Sequence, residues 1–66
     1  MKNYIKMYRA EKSLTQKELA QMTGVSRQAI IAIENEKHDP SLKLAGRIAK
    51  ALEKPIDTIF DLDDID

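Results

Sequence analysis

Two side chains that can read base edges stand together directly after a helix start signal. Arg27 and Gln28 follow Ser26, a favourable N-cap residue, and open a predicted helix over residues 27–35. Arginine can donate two hydrogen bonds to guanine O6 and N7, and glutamine can pair with adenine N6 and N7. A helix N-terminus also favours phosphate. The pattern predicts that Arg27 and Gln28 contact bases in the major groove of DNA.

The same helix carries a further candidate for base contact. Ile31 lies about one turn past Arg27 and Gln28. The apolar side of the helix is already supplied by Ile30 and Ile33. An exposed isoleucine among polar neighbours can contact the methyl group of thymine. The alternative is an isolated surface isoleucine, which is common and needs no function.

Side chains suited to phosphate flank this helix in the sequence. Lys17 and Lys37 are candidate phosphate partners, and the hydroxyls of Ser26 and Ser41 can also donate to phosphate oxygens. Both serines stand where a helix N-cap is expected, so capping alone also explains them.

A helix, a tight turn and a second helix are predicted to position these groups. Thr15 and Glu18 have the spacing of a capping box, so a helix should open at Gln16. Gly24 stands where that helix must end, because glycine adopts a left-handed backbone without a Cβ penalty. Ala20 is small enough to let the two helices cross closely.

Three more helices are predicted around this pair. They cover residues 3–12, with Asn3 as the cap, Leu42 to Leu52, and Ile56 to Leu62. Gly46, inside the second of these, suggests close packing. No stretch shows sustained strand alternation. We therefore predict an all-α fold of five short helices around one core.

One charge in the first helix needs a partner. Arg9 lies one turn past Ile5, on or beside the buried face, and an unpaired buried guanidinium is costly. We predict an ion pair with Glu34 that ties the first helix to the third. The alternative places both charges on the surface.

The 66 residues form one domain, and their charge is unevenly distributed although the net charge is zero. Residues 1–54 carry all 11 basic residues against 6 acidic ones, whereas residues 55–66 carry 5 aspartates and no base. A basic body over 1–60 with an acidic tail over 61–66 suits a DNA-binding protein, although basic residues are also ordinary surface.

Other classes of function are disfavoured. The chain has no cysteine, which favours an intracellular, cytoplasmic location. No apolar run approaches the length of a membrane span. Its one histidine, His38, has no nucleophile or metal-binding companion, so we expect no enzyme activity, no metal and no cofactor.

Together these residues resemble the lambda-repressor/Cro, or XRE, family of helix-turn-helix regulators. The resemblance covers residues 5–60. It is carried by Gln16, Ala20, Gly24, Val25, Ile30 and Ile33, together with Arg9, Leu14, Glu34, Asn35, the P-S-L of residues 40–42 and Phe60.

The resemblance implies a compact lambda-repressor-like domain that binds an inverted-repeat operator as a homodimer. The third helix enters the major groove, and Gln16 resembles the glutamine that holds a backbone phosphate. Ala32 matches a base-reading position that often carries a longer side chain. Asn35 and Lys37 match positions that approach phosphate. Where many relatives have glycine, this chain has Glu36.

A dimer also needs an interface. The fifth helix and the tail offer Ile59, Leu62 and Ile65, and Tyr4 and Met7 can join the same surface. The alternative is that Leu62 and Ile65 belong to a disordered acidic tail. The expected function is repression by blocking a promoter. An antitoxin-like protein-interaction module with an unknown protein partner, or an activator, remains the alternative.

Overall fold

The computed structural model of the protein describes residues 1–64. Within them lie five α-helices and one 3₁₀ turn. These are α1 (Ile5–Glu11), α2 (Gln16–Thr23), α3 (Arg27–Glu34), α4 (Leu42–Leu52), α5 (Ile56–Ile59) and the turn over Leu62–Asp64. The predicted all-α, five-helix architecture is confirmed. None of the helices in this part of the chain is long and apolar enough to cross a membrane.

Local sequence signals set the ends of α2 and the start of α3. The Thr15 hydroxyl accepts from the Glu18 N–H at 3.0 Å, and the Glu18 carboxylate accepts from the Thr15 N–H at 2.9 Å, which completes the capping box. Gly24 ends α2 in the left-handed region, with φ at 75°. Ser26 then caps α3 by accepting from the Ala29 N–H. The predicted helix-turn-helix is therefore present.

The core lies where α2 packs against both α3 and α4, and α1 and α5 close it. Each helix contributes at least one side chain that is completely buried. The fully buried apolar residues are Ile5, Leu19, Ile30, Ile48, Leu52, Ile59 and Phe60. Burial of such side chains stabilises a fold by about 1.5–3 kcal/mol each. The buried Thr23 hydroxyl is satisfied because it donates to the Leu19 carbonyl at 2.8 Å.

The helix α4 begins as expected but differs from the prediction at its centre. Ser41 caps it by accepting from the Leu44 N–H at 3.1 Å. Gly46 is exposed, and a Cβ added there would meet no heavy atom within 4 Å. The prediction of close packing at Gly46 is therefore wrong, because this residue faces away from the stripe that α4 buries.

The start of α1 is a second correction. This helix begins at Ile5 rather than at residue 3, and Asn3 forms an antiparallel bridge with Phe60 instead. The Tyr4 N–H donates to the Ile59 carbonyl at 2.8 Å, and the Asp61 N–H donates to the Lys2 carbonyl at 2.9 Å. Because the C-terminal segment satisfies these backbone groups, a longer helix gains nothing.

The residue expected to cap α1 holds two helices together instead. The N-cap position is occupied by Tyr4, which makes no side-chain cap bond. The Asn3 amide donates to the Ile33 carbonyl at 2.8 Å, and its oxygen accepts from the Ile5 N–H at 3.2 Å. Asn3 thus joins the start of α1 to the end of α3.

The fifth helix is shorter than predicted. It ends at Ile59 rather than Leu62, and Phe60 is extended, with φ −114° and ψ 136°. Phe60 forms an antiparallel bridge with Asn3 while its ring is fully buried. The chain leaves the helical conformation at Phe60 because this backbone pairing and the burial of the ring are satisfied together.

Ion pairs fasten the end of α1 to the loop after α4. Lys12 pairs with Glu53, and the Lys54 ammonium lies 3.4 Å from the Glu11 carboxylate. Lys54 also stands over the Tyr8 ring, 5.3 Å from its centroid. The hydrogen bond from Lys12 lowers the pKa of the Glu53 carboxyl. These exposed contacts each add little stability, but they keep both lysines occupied.

Candidate nucleic-acid interface

An open cleft of about 520 Å³ lies between the N-terminal ends of α2 and α3, and it is lined by Arg9, Thr15, Gln16, Lys17 and Arg27. Three of these five residues are basic. Lys17 and Arg27 are exposed and form no ion pair among the described residues. The cleft therefore presents positive charge and hydrogen-bond donors to solvent, which is what a phosphate group requires.

The Arg9 side chain, which lines this cleft, belongs to a largely buried ion pair. Arg9 Nε donates to Glu34 Oε2 at 2.8 Å, and Arg9 Nη2 donates to Glu34 Oε1 at 3.2 Å. The third guanidinium nitrogen donates to the Leu14 carbonyl at 2.9 Å. The side chains are only 14% and 6% exposed. The structure thus brings Arg9 and Glu34 together, and this two-point contact fixes α1 against α3.

Gln16 is connected to the same pair. Its Nε2 donates to Glu34 Oε1 at 3.2 Å. An amide nitrogen has two N–H groups, and the second has no partner within residues 1–64. The buried pair therefore orients the Gln16 side chain while leaving one donor for a ligand. Sequence reasoning missed this link, because no local pattern connects positions 18 residues apart.

The start of α3 exposes the two residues predicted to read bases. Arg27 and Gln28 are both exposed, at the first two positions of α3. The Ser26 hydroxyl oxygen accepts from the Ala29 N–H at 3.1 Å, so this serine acts as a cap. Because α3 is capped, it holds Arg27 and Gln28 in a defined position from which both side chains can enter a DNA groove.

The next turn of α3 is less open than the sequence suggests. Ile31 is half-buried, so its prediction as an exposed isoleucine is wrong, and Ala32 is half-buried as well. The reason is geometric: Ile31 is rotated by about 100° from the buried Ile30, which places it on the flank of the core. The solvent-facing residues of α3 are concentrated at its N-terminal turn.

The end of α3 presents other polar groups away from the cleft. Asn35 is the C-cap and Lys37 follows it, and both are exposed. Between them Glu36 adopts the left-handed conformation, with φ at 62°. The Lys37 N–H donates to the Ala32 carbonyl at 2.9 Å, which closes the turn. The loop geometry that favours glycine is therefore achieved here with glutamate.

Ser41 also lies outside the cleft, at the start of α4. Its hydroxyl oxygen accepts from the Leu44 N–H, and its side chain is exposed. The predicted phosphate-binding residues thus fall into three places: the cleft (Gln16 and Lys17, with Ser26 nearby in sequence), the end of α3, and the cap of α4. The structure brings the first group together with Arg27.

The residues predicted for a dimer interface are only partly available. Ile59 is completely buried in the core, so its assignment to an interface is wrong. It is buried because α5 is short and its single inward face carries this residue. Leu62 is 47% exposed, and Ile65 lies outside the described residues. Tyr4 and Met7 are 38% and 54% exposed. Tyr4, Met7 and Leu62 are hereafter the apolar surface.

Comparison with known proteins places the chain in a family. The sequence model described as helix-turn-helix matches residues 5–59. An uncharacterized HTH-type transcriptional regulator of Methanocaldococcus jannaschii is 58% identical over 64 residues, covering 97% of each chain. The uncharacterized HTH-type transcriptional regulator YgzD of Bacillus subtilis is 39% identical over 64 residues, again covering 97% of each.

Solved structures give the same result for the fold. The N-terminal DNA binding domain of SinR from Bacillus subtilis superposes with a TM-score of 0.76 at 31% identity, covering 82% of this chain and 80% of that one. The restriction-modification controller protein C.AhdI from Aeromonas hydrophila has a TM-score of 0.79 at 27% identity, covering 85% of each chain. The chain belongs to the helix-turn-helix family of the lambda-repressor/Cro, or XRE, type.

Proposed function

We propose that this protein is a sequence-specific DNA-binding regulator of transcription that reads its site with the N-terminal turn of α3. The observation that carries the proposal is the exposed Arg27–Gln28 pair beside a basic cleft whose Gln16 is oriented by a buried ion pair. The names of the relatives, which are transcriptional regulators rather than enzymes, support the same function.

Each group has a separate task in this proposal. Arg27 and Gln28 donate to base edges in the major groove. The free N–H of Gln16 and the Lys17 ammonium bind a phosphate, which fixes the depth of α3 in the groove. Asn35 and Lys37 bind phosphate at the other end of α3, and Ser41 does so at the start of α4. Ile31 and Ala32 add at most apolar contact.

The proposal also includes a two-fold homodimer formed through the apolar surface. Tyr4 and Leu62 flank the paired segments at the two ends of the chain, and Met7 follows Tyr4 by about one helical turn. A dimer of this kind presents two copies of α3 to half-sites about 34 Å apart on an inverted repeat. Binding over a promoter blocks polymerase, so the regulator acts as a repressor.

Selection of bound duplexes from a random pool, followed by gel-shift measurements, tests the proposal. We expect an enriched inverted repeat bound by two chains. Arg27→Ala and Gln28→Ala should each cost about 1–3 kcal/mol on that site and relax base preference at one position. Lys37→Ala should weaken binding equally on all sequences. Unchanged affinity and base preference in Arg27→Ala would refute the assignment of α3.

The dimer has its own test. Met7→Lys and Leu62→Lys should shift sedimentation toward the monomer, because each places a charge in an apolar contact. Leu42→Lys is the matched control, since Leu42 is 83% exposed and lies outside the apolar surface. If Leu42→Lys dissociated the dimer and the other two variants did not, the interface would lie elsewhere.

A further inference from the structure

A second and larger depression lies between the end of α2 and α4. This open groove has a volume of about 780 Å³ and is lined by residues 21–24 of α2 and its cap together with Arg47, Lys50, Ala51 and Glu53. Met22 is 55% exposed in it. The groove shares no lining residue with the cleft near α3. It is called the basic groove below.

The charge of the basic groove is not compensated within the chain. Arg47 and Lys50 are exposed on α4 and form no ion pair among residues 1–64. The one carboxylate on the rim, Glu53, is already bound by Lys12, which also lowers its pKa. Two cations therefore flank an exposed methionine. Methionine adapts its shape to different apolar partners, so the groove suits an acidic segment with one apolar side chain.

The chain itself contains such a segment. Residues 63–66 read D-D-I-D, which places three carboxylates around one isoleucine. Asp63 is exposed, and its N–H donates to the Asp61 carboxylate at 3.0 Å, so the turn over Leu62–Asp64 is fixed by Asp61. The Asp63 carboxylate itself takes no part in that contact. The opposite charges of this segment and of the basic groove make them complementary.

The groove and the residue that leads into the acidic segment lie near opposite ends of α1. The Asp61 N–H donates to the Lys2 carbonyl, so Asp61 lies beside the start of α1. The Lys12–Glu53 pair places the rim of the groove at its end. The seven residues of α1, about 10 Å of helix, lie between Asp61 and this rim. The partner proposed here is a second copy, because pairing within one chain would give no species larger than the dimer.

We propose that the basic groove binds the acidic segment 63–66 of a second copy of this chain, with Arg47 and Lys50 pairing its aspartates and Met22 contacting its isoleucine. Ile65, which the sequence also offers for the two-fold interface, is assigned to this contact instead, whereas Leu62 remains in the apolar surface. The proposed contact joins unlike surfaces of chains that belong to different dimers, so it links dimers into larger assemblies.

The consequence for function rests on the proposed DNA binding. Dimers on neighbouring operators can contact one another through segment and groove, so occupancy of one site favours occupancy of the next. The contact itself needs no DNA. It depends on exposed charges and therefore weakens as salt shortens the screening length.

Sedimentation velocity of the full chain, without DNA and at low and high salt, tests the contact. At low salt we expect species larger than the dimer that grow with concentration and are lost at high salt. Arg47→Glu/Lys50→Glu should lower the association constant of this step by at least about tenfold. The control Lys6→Glu/Lys43→Glu changes the net charge equally at two exposed lysines outside the groove and should have little effect.

A charge swap separates the proposed pairing from general electrostatics and from misfolding. Asp64→Lys/Asp66→Lys should also abolish the larger species, and its combination with Arg47→Glu/Lys50→Glu should restore them. Ile65→Ser should weaken them at unchanged charge. The proposal is overturned if no species larger than the dimer forms at low salt. It is also overturned if Lys6→Glu/Lys43→Glu weakens the association as much as Arg47→Glu/Lys50→Glu does, or if the combined charge swap fails to restore the larger species. Gel shifts on a single operator report separately on DNA binding, which the groove variants should retain.

Discussion

Replacing Arg9 with methionine should destabilise the fold far more than replacing any exposed lysine. Methionine keeps most of the apolar stem but removes all three donated hydrogen bonds, two to Glu34 and one to the Leu14 carbonyl. Glu34 then retains only the donor from Gln16, while its side chain stays 6% exposed. Breaking a buried pair from one side costs about 3–5 kcal/mol, because a charge is left uncompensated.

That cost is a large fraction of the free energy of unfolding of the domain. At 0.05–0.15 kcal/mol per residue, a domain of this size is stable by about 3–10 kcal/mol. We therefore expect Arg9→Met to lower the free energy of unfolding by about 3 kcal/mol, measured by urea denaturation with circular dichroism. Arg9→Met/Glu34→Met should recover part of the loss, since removing both charges of a buried pair is often nearly neutral.

Lys12→Met is the matched control. Lys12 also pairs with a glutamate, but the partner, Glu53, is 73% exposed, so the pair is screened by water. The control should cost less than about 1 kcal/mol. If Arg9→Met cost no more than Lys12→Met, or if the double variant were less stable than Arg9→Met, the buried pair would not be the brace between α1 and α3.

Three further outcomes follow from local geometry. Gly46→Ala should stabilise the fold by about 0.5–1 kcal/mol, because Gly46 lies inside α4 with open space around it. Gly24→Ala has as much space but φ is 75°, so it should destabilise the fold by about 1 kcal/mol. If chemical denaturation showed that both variants change the free energy of unfolding in the same direction, this difference between the two glycines would be refuted. Glu36→Gly should raise the melting temperature, because φ at 62° strains glutamate but not glycine; a lower melting temperature would show that the side chain is needed. The hydrogen bond that the Glu18 carboxylate accepts from the Thr15 N–H is the main reason that the pKa of Glu18 lies below its ordinary 4.5, and the Thr15 side chain lowers it further. A depressed folded-state pKa gives stability that is present above the ordinary pKa and is lost as pH falls through the folded value. Glu18→Gln should therefore flatten the acid side of the melting-temperature profile, and a profile as steep as that of the unaltered protein would contradict this cause.

The sequence predicted the elements whose signals are local. The Thr15–Glu18 capping box, the glycine that ends α2 and the serine caps of α3 and α4 all act within four residues, and each was found. Arg9 and Glu34 were matched across 25 residues only because a charge beside a buried face requires a partner. Physical necessity therefore extended the prediction beyond local patterns in that one case.

The wrong predictions concern features that depend on contacts between residues far apart in the sequence. The late start of α1 and the early end of α5 both accompany one antiparallel bridge between Asn3 and Phe60. Nothing near either residue signals a partner at the other end of the chain. The half-buried Ile31 and the open surroundings of Gly46 likewise depend on how helices pack, which periodicity alone does not specify.

The basic residues fall into two groups, those with an ion pair inside the fold and those without one. Arg9, Lys12 and Lys54 are held in ion pairs within the chain, and all three fasten α1 to its neighbours. No ion pair in the described structure involves Lys17, Arg27, Lys37, Arg47 or Lys50. A paired cation releases few counterions when DNA approaches, because its carboxylate already compensates it. Zero net charge is therefore compatible with the proposed binding of a polyanion, since Glu11, Glu34 and Glu53 neutralise cations within the fold and the five exposed basic residues named above stay without an ion pair in the described structure.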